Sequence, residues 1–127
     1  MSPEAWAALE RAKARLDRLD LYPRLVRIER VRILTAPLFF SLPWFRRYDG
    51  YALWRTILLR RPAGAGASDD LVTHELCHIW QMQHRPLRVM VSYLTTPYKT
   101  NPHEVEARRA VALTREPVPE SRSSQPS

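Results

Sequence analysis

Residues 74–78 read His-Glu-Leu-Cys-His. On an α-helix, positions four apart lie on one face, so the imidazoles of His74 and His78 can reach a single metal ion. Zinc accepts histidine nitrogen in tetrahedral sites and keeps one position for water where the site is catalytic. Glu75 falls on the flank of that face, where its carboxylate reaches the water beside the ion and not the ion itself. The chemistry open to these three residues is hydrolysis. One zinc ion would polarise a carbonyl and activate the water, and Glu75 would act as the general base that takes the water's proton.

Two histidines leave such a site one protein ligand short. His84 stands ten residues after His74, and the run HELCHIWQMQH reproduces the histidine spacing of the metzincin peptidases. In that family a glycine midway between the second and third histidines turns the chain back to the metal. Gln81 occupies that position here. A helix continuing at about 100° per residue points His84 away from His78. The other source is the segment Asn101-Pro102-His103-Glu104-Val105-Glu106-Ala107-Arg108. It offers Glu104, with Glu106 and His103 as reserves. Glu104 and Glu106 are separated by about 200° on a helix, so only one of them can face a given ion. With Asn101 as a helix N-cap, Glu104 at the third helical position could instead complete a capping box.

Here the chain resembles the gluzincins, zinc metallopeptidases whose third ligand is a glutamate on a later helix. The pattern Glu-x-Glu-Ala is similar to the ligand segment of minimal gluzincins and of prenyl-endopeptidase-type metallopeptidases, and the likeness spans about Tyr51 to Val111. It implies Glu104, three residues before Ala107, as the third ligand, and peptide-bond hydrolysis as the activity. It implies a strand beside the zinc helix that can pair with an extended peptide or protein substrate. It also implies a tyrosine or histidine donor for the oxyanion, for which Tyr98 and Tyr93 are the candidates. Arg108 departs from the pattern: several of these families carry an acidic residue there. Gln81, one turn after His78, could orient a ligand. Cys77 points off the ligand face and reads as a buried packing residue.

The elements that must position these residues are also legible. Ser2-Pro3 reads as a cap and first helical position, and Trp6, Leu9, Ala12, Leu16 and Leu19 repeat at helical spacing, predicting a helix over 3–19. A helical or irregular stretch follows Pro23. Val31–Leu34 predicts a strand, and Asp49-Gly50 a turn. Tyr51–Arg60 reads as one strand interrupted by Arg55, and Ala63–Ala67 as a loop. Ser68, Asp69 and Asp70 predict the start of the zinc helix, 70–84, stopped or kinked by Pro86. A further helical or irregular stretch covers 87–94, and a last helix starts at Asn101-Pro102 and runs to about Thr114. Trp44, Phe45, Trp54 and Trp80 read as core or cleft-wall residues. The fold class expected is α+β, a compact zincin-like domain over 1–116 with a small hairpin or sheet, then a disordered tail over 117–127.

The chain has 127 residues, 45% hydrophobic, enough for one modest core. Its single cysteine suggests no disulfide framework, and its charged N-terminus has no signal-like apolar segment; a cytoplasmic protein is expected. The net charge of +7 comes from scattered arginines without a nucleic-acid-binding motif, so no specific nucleic-acid partner is expected. The apolar run Leu38–Phe45, followed by Arg46 and Arg47, allows weak contact with a membrane surface. Two other readings stand beside the peptidase: a non-catalytic zinc-binding interaction module, and a basic nucleic-acid- or membrane-associated protein in which the motif is incidental.

Overall fold

The Ser2 hydroxyl accepts the Ala5 N–H at 3.1 Å, and Pro3 follows in the first turn, so the first helix begins where the Ser-Pro pair predicts. This helix, α1, spans Pro3–Leu16. The structure, a computed structural model, describes residues 1–63 and 69–115. Most of the loop expected at 63–67, the Ser68 cap and the tail 117–127 lie outside the described residues.

α1 is shorter than the 3–19 expected. Asp17 N–H still bonds to Lys13 O, but Arg18 and Leu19 reach back only three residues, to Arg15 and Leu16. Lys13 Nζ bonds both Asp17 and the Val26 carbonyl, tying the helix end to the chain that returns beneath it. Leu19 remains partly buried against the core without being helical. The chain after Pro23 is irregular. Its backbone is held by side chains of the later helix that carries His74 and His78: Trp80 Nε1 donates to Arg24 O at 2.8 Å, and Gln83 bonds both N–H and C=O of Arg27.

Strand β1 (Arg32–Thr35) is followed by a 3-10 turn at Phe39–Ser41 and by β2 (Gly50–Leu53) and β3 (Thr56–Leu59). The single strand expected over Tyr51–Arg60 is therefore two strands. They form a hairpin in the register Gly50↔Leu59 to Leu53↔Thr56, turning at Trp54-Arg55. Arg55, which interrupts the strand alternation in the sequence, sits at that turn, and Trp54 takes φ 60° to make it. β1 pairs with β3 in parallel, giving the order β1-β3-β2 and leaving β2 at an edge.

Helix α2 (Asp69–His84) lies centrally. It packs on α1, on β2, on α3 (Pro86–Thr95) and on α4 (Pro102–Arg115). Its Leu76, Ile79 and Trp80 join Leu9, Ala12 and Leu16 of α1, Ile57 and Leu59 of β3, and Ala107 and Ala110 of α4 in one buried core. Each large aliphatic side chain buried there contributes roughly 1.5–3 kcal/mol. Cys77 is fully buried in that core, the packing role its position predicts. The N-terminal end of α2 is tied by Arg11 to Asp69, and by Arg15 and Arg115 to Asp70. At Arg85 (φ −141°) the helix breaks, and Pro86 opens α3. The result is the α+β architecture expected, with four α-helices and a three-stranded mixed sheet among the described residues. Of the four aromatics expected in core or cleft wall, Trp80 is fully buried, whereas Trp44 and Trp54 are 74% and 57% exposed.

Candidate metal centre

His74 and His78 project from one face of α2 as their spacing requires. Their Nε2 atoms are 3.2 Å apart. Glu104, from the first turn of α4, closes the group: Oε1 lies 3.2 Å from Nε2 of His74 and Oε2 lies 2.8 Å from Nε2 of His78. Zinc–ligand bonds of about 2.0–2.1 Å in a tetrahedron would separate neighbouring donors by about 3.3 Å. These three donors therefore fit around one ion, and His74, His78 and Glu104 form a group that could hold a metal.

The capping alternative for Glu104 does not describe its carboxylate. Asn101 caps α4 by accepting the His103 N–H at 2.8 Å, and the Asn101 N–H goes to Tyr98 O. Glu104 instead takes a hydrogen bond from the Tyr93 hydroxyl at 2.7 Å and faces the histidines. Arg108 stands 3.9 Å away on the next turn. Burial would raise the Glu104 pKa, but hydrogen bonds from His74, His78 and Tyr93 outweigh it and hold the carboxyl well below the usual range. Burial likewise opposes charge on His78, yet Glu104, Glu75 and Gln81 raise its pKa. Both shifts come from the pairing of Glu104 with the histidines.

The orientation of His78 is set from behind. Gln81 Nε2 donates to His103 O at 2.9 Å and to Glu106 Oε1 at 3.0 Å. Both partners are acceptors, so the amide oxygen must face His78, where it receives Nδ1–H at 2.9 Å. With Nδ1 committed to Gln81, Nε2, which here faces Glu104, is the nitrogen that would be given to a metal on loss of its proton. Glu106 also accepts the Tyr22 hydroxyl at 2.6 Å. The reserve ligand Glu106 is therefore turned to the back of the network. His84 Nδ1 bonds to Trp80 O, and its ring stacks on Tyr22, 5.0 Å between centroids; it does not join the group. His103 Nδ1 pairs with the Ser92 hydroxyl. The links from Glu106 to Gln81 and Tyr22 are not legible in the sequence, since Tyr22 is remote from both along the chain.

Comparison with models of protein families, with curated proteins and with solved structures found no match.

A cleft of about 490 Å³ reaches the cluster at His74, and is bordered also by Glu75, Tyr48, Tyr98 and Arg108. Depressions of about 460 and 630 Å³ elsewhere both border Arg30 and Arg55 and contain no histidine. Glu75 is buried and accepts a backbone hydrogen bond from Ala52 of the edge strand β2. Burial raises its pKa; the two histidines and that hydrogen bond pull the other way without cancelling it. Tyr98 is half-buried on the cleft wall, and burial together with Glu104 raises its pKa, so it stays a proton donor. Tyr93, the other tyrosine candidate, is committed to Glu104 and lies 3.3 Å from His78 Nδ1.

Proposed function

We propose that the protein is a zinc-dependent hydrolase of the gluzincin type that cleaves peptide bonds in a peptide or protein substrate. The observation that carries this reading is the convergence of His74, His78 and Glu104 in one group, with His74 and the buried Glu75 lining a cleft beside it. The donor set of two imidazoles and one carboxylate, with one position left for water, is that of a catalytic zinc site. When bound, zinc supplies a Lewis acid that polarises the scissile carbonyl and makes water nucleophilic at neutral pH.

The chain's own residues do the rest. Glu75 accepts the proton of the attacking water and returns it to the leaving amine. A carboxylate whose pKa is raised by burial suits a group that must both take and give a proton. Tyr98, on the cleft wall, donates to the oxygen that becomes negatively charged. Gln81 and Tyr93 hold His78 and Glu104 in place. The single cysteine, buried and inert to exchange, suits a reducing compartment, and we place the activity in the cytoplasm.

The test is paired. Zinc content and cleavage of a mixed peptide library are measured for the parent chain and for Glu75→Gln. The expected result is stoichiometric zinc in both and a turnover lower by at least about 100-fold in the variant. Equal cleavage by both, with zinc retained, would refute the enzyme reading and leave a zinc-binding module. Absence of zinc from a gently prepared parent chain would refute the metal assignment itself.

A further inference from the structure

Helix α3 is built inside out. A surface helix normally turns its apolar stripe to the core. In α3, Leu87, Met90, Val91 and Leu94 form the i, i+3, i+4, i+7 stripe, and they are 76%, 52%, 56% and 84% exposed. Val89 is the only buried residue of the helix. The inward contacts are largely polar: Tyr93 bonds Glu104, and the Ser92 hydroxyl meets His103 and Asn101. Polar bonds thus hold an apolar helix on the domain with its greasy face outward. A contiguous exposed stripe of this kind marks an interaction surface.

A second apolar segment is exposed near it. Leu38, Leu42 and Trp44 are solvent-facing in the connection between β1 and β2. The two segments are joined by ring contacts: Phe45 packs near Tyr48, and Tyr48 lies 5.4 Å from Tyr98, just beyond α3. The charge pattern around them is one-sided. The chain has no Asp or Glu between Arg30 and Tyr48, and none between Glu75 and Glu104, while Arg46, Arg47, Arg85 and Arg88 flank the apolar residues. Asp49, at the edge of the first stretch, is paired with Arg60.

We infer that the outward stripe of α3, together with the exposed segment around Trp44, docks the protein on the surface of an anionic lipid bilayer. Leucine, valine, methionine and tryptophan beside arginine, in two runs without an acid, is the chemistry of interfacial binding. Two separate short patches suit a fluid plane that adapts to both, whereas a protein partner would need a matching shape for each. Among the described residues no helix is long and apolar enough to cross a membrane, so the contact is with one face of the bilayer. Tyr93 runs from the same helix to Glu104, so the docking helix is also one that supports the metal cluster. The inference does not depend on catalysis.

The experiment is flotation of the full chain with vesicles of phosphatidylcholine alone and of phosphatidylcholine with phosphatidylglycerol, at low and high salt. The parent chain should float with the anionic vesicles, at least about tenfold less with the neutral ones, and less at high salt. Leu87→Ser/Leu94→Ser should lower binding to anionic vesicles at least about tenfold. Both side chains are exposed, so its thermal midpoint and metal content should match the parent's. Arg88→Glu should weaken binding in the same direction. Failure of the parent chain to float, or equal flotation by the double serine variant, overturns the proposal. So does a self-association that the double variant abolishes without any vesicle binding by the parent, which would make a second copy the occupant.

Discussion

The side-chain oxygen of Gln81 sits 2.9 Å from Nδ1 of His78, and the amide nitrogen behind it is shared between His103 O and Glu106. One residue thereby fixes which nitrogen of His78 carries a proton. Replacing it with leucine, Gln81→Leu, removes the acceptor at Nδ1 of the buried His78 and the amide donor that ties His103 O and Glu106 to α2, while Glu106 keeps the Tyr22 hydroxyl. Metal affinity should fall by about 10- to 100-fold, the usual cost of losing a partner behind a ligand. Stability should fall by roughly 1–3 kcal/mol, because the buried Nδ1–H of His78 loses its acceptor. Chelator competition and denaturant unfolding measure the two separately.

Glu104 and Glu106 are two residues apart and do opposite jobs, one facing the histidines and one facing Tyr22. Glu104→Gln keeps the shape and loses the charge, so metal affinity should drop by more than the roughly 100-fold ceiling expected of an outer partner. Glu106→Gln keeps an acceptor oxygen for Tyr22 and Gln81 and should retain full metal stoichiometry. Titration calorimetry with zinc on both variants reads the difference. In the parent chain, free metal at about 100 times Kd should add about 2.7 kcal/mol of stability. That is a rise on the order of ten degrees in Tm, and Glu104→Gln should lose it.

Trp54 adopts φ 60° at an exposed turn, a conformation that costs an L-residue roughly 1–2 kcal/mol and glycine almost nothing. Little burial is lost by removing its side chain. Trp54→Gly should therefore raise stability by roughly 0.5–1 kcal/mol, less than the full strain because glycine is freer when unfolded. Urea unfolding checks it, and metal content should be unchanged.

Local periodicity was enough to place His74, Glu75 and His78, because a helix repeats every 3.6 residues whatever surrounds it. The start of α1 at Ser2-Pro3, the break before Pro86 and the cap at Asn101 were legible for the same reason: each is decided by the backbone chemistry of a few neighbouring residues. Glu104 was legible as the third ligand, but a capping box could also account for that residue, and only the packing of α4 on α2 turned its carboxylate to the histidines. The Trp54-Arg55 turn was hidden because a strand and a tight hairpin share one apolar pattern over so few residues. The Tyr22–Glu106–Gln81 network and the outward face of α3 were hidden for a deeper reason. Hydrophobic spacing tells which side chains share a helix face, but which way that face turns is decided by what the rest of the chain packs against it. In α3, polar bonds from Ser92 and Tyr93 to α4 decided that, and left Leu87 and Leu94 facing out.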